Sequence, residues 1–119
     1  MRKGTTAQYR KAIMDGIYAA MRESFNVPEN DRFMLIHQHD EDEFDFSTNY
    51  LDIQRSDRLV FIQLTISNTR TIEQKKAFFA AIVARLTENP GLRPEDIFIN
   101  LVEGIKENWS FGHGIAQYA

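Results

Sequence analysis

The 119-residue chain has no cysteine, three prolines, six glycines and a single tryptophan. The missing thiols exclude a disulfide framework and cysteine-based chemistry. Positive charge is not in excess either. Fourteen basic residues stand against seventeen acidic ones, a net charge of −3, so nothing electrostatic argues for nucleic-acid or anionic-membrane partners. No apolar run is long enough to cross a bilayer, and Met1-Arg2-Lys3-Gly4 lacks the apolar core of a secretion signal. The expectation is a cytoplasmic protein that binds neither nucleic acid nor membrane. No Gly-rich phosphate loop, Ser-His-Asp set or closed metal-ligand set is visible. His37 and His39, two apart on a candidate strand and followed by acids, are the nearest approach to a metal motif. They read as the edge of a solvated acidic loop, and no cofactor is expected.

What the chain does have is apolar patterning for one domain with a core of its own. Tyr9, Ala12, Ile13, Gly16, Ile17, Ala20 and Met21 fall on one face of a helix expected from Thr5 to Ser24. Thr5 and Gln8 suggest its capping box, and Pro28 ends it. Arg32–His37 and the alternating Tyr50–Ile53 read as strands on either side of an acidic loop at 39–45. Arg58–Ile66, rich in β-branched and aromatic residues, is the central strand. A second helix opens at Thr71 with the box Thr71/Gln74. It should bury Phe79, Ile82, Val83 and Leu86, and stop at Asn89-Pro90-Gly91. Asp96–Val102 is a further strand, and an aromatic- and glycine-rich tail follows.

The order contains a repeat. A shift of 66 carries Thr5 onto Thr71, Gln8 onto Gln74, Ile17 onto Val83 and Pro28-Glu29 onto Pro94-Glu95. With one gap, Asp31-Arg32-Phe33 meets Asp96-Ile97-Phe98. Each half, about 1–57 and 58–119, is a capped helix, a turn and a strand. Only the second half has a strand before its helix. A parallel strand–helix–strand unit needs both strands, so the first strand is expected to be missing from the chain. Its neighbour would then be an open edge.

The pieces Phe25-Asn26-Val27-Pro28, Asp31-Arg32-Phe33, Arg55-Ser56-Asp57, Arg70–Lys75 and above all Asn108-Trp109-Ser110-Phe111-Gly112-His113-Gly114, closing with Ala116-Gln117-Tyr118, resemble the tautomerase superfamily. The resemblance is greatest to its malonate semialdehyde decarboxylase-like group. It implies an α+β fold of two β-α-β repeats, a four-stranded mixed sheet with both helices on one face, and a homotrimer. It also implies keto-enol tautomerisation, or a related decarboxylation or hydration, of a small oxo-carboxylic acid. The base would be an amino-terminal proline whose amine has a pKa lowered by an apolar pocket. Arginine would hold the substrate carboxylate, here Arg70, and Asp31 would assist. Trp109 and Phe111 would line the pocket.

Two departures stand out. Met1 falls about six residues after the family's proline, so the 119-residue form should be inactive by that mechanism. The decarboxylase's arginine pair is reduced to Arg70, with Asn68 near the other position in a turn one residue longer. The rival reading is a non-enzymatic, oligomeric carboxylate-binding protein. Each site residue also has a plainer role open to it. Arg70 could pair with a surface acid, Asp31 could be a turn residue, and the two aromatics could be core or interface.

Overall fold

The computed structural model describes all 119 residues and has two long helices over one face of a sheet. Helix α1 spans Ala7–Phe25 and α2 spans Ile72–Glu88. Strands β1, Val60–Ser67, and β2, Ile97–Gly104, pair in parallel from Val60↔Ile97 to Ser67↔Gly104. Val60, Ile62 and Ile66 of β1 turn toward the helices and are buried. Ile97, Ile99 and Leu101 of β2 pack against the same core. The alternate residues, Phe61 and Phe98 among them, face outward, as the two-residue strand period requires.

The helix caps follow from short side chains that satisfy free N–H groups. In α2 the box forms as expected: the Gln74 N–H donates to Thr71 Oγ1 at 3.1 Å and the Thr71 N–H donates to Gln74 Oε1 at 2.9 Å. In α1 the cap is Thr6, whose Oγ1 accepts from the Tyr9 N–H at 3.1 Å. The expected Thr5/Gln8 box does not form, because Arg10 takes both Thr5 oxygens, at 2.6 and 3.2 Å. Asn26, in the left-handed region with φ 52°, closes α1, a conformation that asparagine tolerates. The buried face of α2 is also turned slightly from expectation. Phe78, Ala81, Ile82 and Leu86 are buried, whereas Phe79 and Val83 are half-buried.

Two expected strands are absent. Tyr50–Asp52 is a short 3-10 turn, with Leu51 and Asp52 at positive φ. The Ser47 hydroxyl accepts from the Tyr50 N–H at 3.1 Å and so turns the chain there. Arg32–His37 carries no ladder of its own. Its residues alternate between half-buried and exposed as a strand's do, but Phe33–Ile36 make no backbone–backbone hydrogen bond. The sheet is therefore two-stranded, with one further parallel bridge, Arg2↔His39.

The helices are in tight contact at Gly16. A Cβ there would lie 2.7 Å from Leu86 Cδ2, and Leu86 is fully buried. Asp96, the one buried charged residue, ties the turn before β2 to the segment before β1. Its carboxylate accepts from the Ser56 N–H at 2.7 Å and the Ser56 hydroxyl at 2.6 Å, and Arg93 lies at 3.5 Å.

Gly16→Ala is expected to lower stability by about 1 kcal/mol in urea unfolding, since overpacking of about 2 kcal/mol outweighs a helix-propensity gain of about 1. Asp96→Ala should cost about 3 kcal/mol in the same measurement, because it strands two donors that now bond to a charged acceptor. Asp96→Asn should cost less, as one acceptor oxygen survives.

Candidate active site

Arg70 follows β1 and the Asn68-Thr69 turn, which the Asn68 N–H ties to Gly104 O at 2.9 Å. Its guanidinium is half-buried over the Phe25 ring, 5.1 Å from the centroid. Its hydrogen bonds are long ones to main-chain carbonyls, Ser67 O at 3.4 Å and Phe25 O at 3.5 Å. None of the nine ion pairs includes it, so pairing with a surface acid does not account for its position. A cation held on an aromatic ring with donors to spare can take a carboxylate through two parallel N–H···O bonds.

Asp31 lies six positions beyond Phe25, at the turn where the Asp31 N–H donates to Pro28 O at 3.1 Å. It is half-buried, and its carboxylate has neither a hydrogen-bond donor nor an ion-pair partner within the protein. Its neighbours fix the turn. The Asn30 N–H donates to the Tyr18 hydroxyl at 2.9 Å. Arg32 lies over the Tyr18 ring at 4.6 Å and pairs with Asp15 at 3.1 Å. Lys11, which hydrogen-bonds Asp15, and then Arg32 hold the Asp15 carboxyl below the ordinary carboxylate value.

Trp109 is half-buried and stacks on Phe111, with centroids 5.6 Å apart and planes 9° from parallel. Phe111 in turn meets Phe33 at 6.1 Å and Tyr118 at 5.1 Å. Gln117 braces this tail, accepting from the Phe111 N–H at 2.9 Å and donating to Gly112 O at 3.0 Å. Phe33 thus connects the aromatic pair to the strand-like segment that begins just after Asp31. Asn68 is exposed, and its side chain makes no hydrogen bond.

A cavity of about 870 Å³ lies between residues 33–37 and 60–65, floored by Ile13, Ile17 and Met21 of α1. Trp109 and Phe33 line it; Arg70, Asp31, Asn68 and Phe111 do not. Met1 also lines it; its amine donates to His37 O at 3.0 Å, and burial holds that amine below its ordinary pKa of 8.0. Sequence reasoning missed the part played by Phe25, which seats Arg70, and by Tyr18, which anchors the Asp31 turn. An aromatic residue immediately before a helix-ending Asn was the available signal for Phe25. His37 and His39 do not join a ligand cluster. The carboxylates that come within 4.8 Å of one another are the exposed Asp40, Asp42 and Glu43, and Glu43 there accepts from the Asp40 N–H at 3.0 Å.

A family profile described as a tautomerase enzyme matches residues 31–112, and a second of the same description matches residues 1–52. The probable tautomerase YusQ of Bacillus subtilis (strain 168) is 39% identical over 117 residues, covering 98% of this chain and 92% of its own. A crystal structure of malonate semialdehyde decarboxylase, solved as a basis for its decarboxylase and hydratase activities, superposes with a TM-score of 0.93 at 33% identity. The match covers 99% of this chain and 91% of that one. A malonate semialdehyde decarboxylase inhibited by 3-bromopropiolate gives 0.92 at 35% identity, over 98% and 88%. The chain belongs to the tautomerase superfamily, in its malonate semialdehyde decarboxylase-like group.

Proposed function

We propose that this chain is the body of an enzyme that moves a proton on a small oxo-carboxylic acid, by keto-enol tautomerisation or a related decarboxylation or hydration. The observation that carries the reading is the pair of unengaged opposite charges around the end of α1: Arg70, seated on Phe25 without an acid, and Asp31, in a rigid turn without a base. Arg70 grips the substrate carboxylate. The base is the secondary amine of a proline about six residues before Met1. It removes a proton from the carbon beside the carbonyl, and the freed electron pair passes to the carbonyl oxygen to give the enolate, which becomes the enol when that oxygen takes up a proton. Asp31 assists by positioning the reacting group or a water. Trp109 and Phe111 supply the apolar wall that keeps such an amine neutral near pH 7. Asn68 stands beside Arg70 as a further polar contact.

The outward side of the sheet supports the homotrimer. Phe61 and Phe98 meet edge to face at 4.5 Å, Phe44 stacks on Phe61 at 5.6 Å, and Phe61, Phe98 and Val102 are each more than two-fifths exposed. An aromatic patch of this kind on a sheet face is suited to burial by further subunits.

With the upstream proline restored, turnover of a phenylpyruvate-like enol is expected. Arg70→Ala should raise KM about tenfold to a hundredfold, the loss of roughly 1.5–3 kcal/mol expected for a hydrogen bond to a charged group. Asp31→Asn should lower kcat about a hundredfold with KM nearly unchanged. A restored trimer that binds carboxylates through Arg70 but turns over no oxo-acid would instead establish the binding-protein reading. In sedimentation the wild-type chain is expected to run as a trimer and Phe98→Glu as a monomer; identical behaviour of the two would remove the outer sheet face as the interface.

A further inference from the structure

The two halves of the fold are built alike but differ where each helix begins. The helix caps Thr6 and Thr71 are 65 residues apart, and so are the turn residues Asp31 and Asp96. Three residues beyond each cap, the same spacing sets Tyr9 against Gln74. The exchange alters the cap. Gln74 Oε1 accepts from the Thr71 N–H at 2.9 Å. Tyr9 does not reach back in this way, and the Thr6 N–H has no acceptor within the protein. Helix α2 thus carries its own acceptor at the cap, and α1 leaves that place open.

A cavity of about 370 Å³ lies at that open cap. Thr6 and Tyr9 line it together with Arg2, Lys3, Asp57 and Arg58, so three cations stand against one carboxylate. Neither Arg70 nor Asp31 belongs to it. The side chain of Arg58 is exposed and enters neither an ion pair nor a hydrogen bond. Arg2 stands 3.7 Å from Asp57 and 3.9 Å from Glu41, too far for a hydrogen bond. Its Nε is the one buried side-chain polar atom of the molecule without a partner, and a buried donor in that state carries a desolvation cost that an acceptor removes. Lys3 is already held by Asp40 at 3.2 Å. Burial pushes the pKa of the Tyr9 hydroxyl up, and Arg58 and Asp96 are the charges that act on it.

We infer that this second cavity binds a small oxyanion, a phosphate ester or a carboxylate, held by Arg58, Arg2 and the Thr6 N–H. One oxygen of the anion takes the place that Gln74 Oε1 holds in α2 and accepts from the Thr6 N–H. Arg58, with every donor free, takes a second oxygen. Turning Arg2 from Asp57 onto the anion gives its Nε an acceptor. The positive end of α1 adds to the attraction. Asp57, the one carboxylate in the cavity, opposes it. The site stands apart from the Arg70 site, so either can fail without the other.

The test titrates the full chain with inorganic phosphate and, separately, with succinate, at an ionic strength held constant with sodium chloride. Amide chemical shifts of Thr5, Thr6 and Ala7 are followed. At least one probe is expected to give shifts that saturate on a single-site curve. Tighter binding of phosphate assigns the site to phosphate esters, and tighter binding of succinate to carboxylates. Arg58→Gln should weaken that binding at least about tenfold, the loss expected for a hydrogen bond between charged groups. Asp57→Asn should strengthen it about threefold, since an exposed opposing charge is removed. Tyr9→Gln, which gives α1 the acceptor that α2 has, should displace the anion from Thr6. Arg70→Ala should leave the shifts as they are. Shifts that rise without saturating for both probes, or that are the same in Arg58→Gln, overturn the proposal. So does their loss in Arg70→Ala, which would assign the anion to the site already described. Arg58 and Asp57 are both exposed, so their variants keep the test decisive even where Tyr9→Gln disturbs the core.

Discussion

The obligation of main-chain amides to find partners governs this fold more than any single side-chain contact. Strands β1 and β2 meet it for each other along one shared edge, with α2 as the crossover between them. The first half meets it over three residues only, where Met1–Lys3 lie against His37–His39. Ion pairs flank that short ladder: Lys3 with Asp40 at 3.2 Å, and Arg2 with Glu41 and Asp57 at 3.9 and 3.7 Å. All of these charges but Arg2 are well exposed, so they are weak individually. The register of the first half therefore rests on its few backbone bonds and on the apolar anchoring of Met1.

The repeat also shows how one turn serves two purposes. Asp96 and Asp31 occupy the same place in their halves, each with its N–H bonded to the carbonyl three residues back, Arg93 O at 3.0 Å and Pro28 O at 3.1 Å. Ser56 fully engages the Asp96 carboxylate and buries it. No serine reaches Asp31. Arg32, which follows it, is drawn away to Asp15 and Tyr18. The same backbone thus gives a structural acid in one half and a free, half-buried acid in the other, which is why position alone does not assign a role to either.

Much of this was legible in the sequence, because helix caps and apolar spacing are local signals. The Thr71/Gln74 box, both helix stops and the two strands of the second half are all written in short stretches. What escaped depended on partners distant in the chain. Thr5 and Thr6 are indistinguishable as caps until Arg10 is seen to claim Thr5. The offset of 66 with a gap that the sequence suggests therefore gives way to 65 without one, the spacing of the caps Thr6 and Thr71 and of the turn residues Asp31 and Asp96. Arg32–His37 has a strand's alternation but no neighbour to bond. Tyr50–Ile53 alternates too, yet the Ser47 hydroxyl bends it into a turn. At the site, Arg70 and Asp31 were visible as residue types. That neither has a charged partner is a property of the folded chain.

The placement of Arg70 follows from the same constraint. Its side chain must leave the turn after β1, where the strand's last carbonyls point and α2 begins with free N–H groups. A cation at that helix end is disfavoured by the helix dipole. The guanidinium instead crosses to the opposite pole, the carboxyl end of α1, where Phe25 O and the Phe25 ring receive it. That end carries partial negative charge and the ring face adds a little more. These weak attractions are enough to orient the fork without neutralising it. A surface carboxylate in the same position would bind Arg70 more tightly and neutralise it. The loose carbonyl contacts leave its charge available, while the ring limits where it can point.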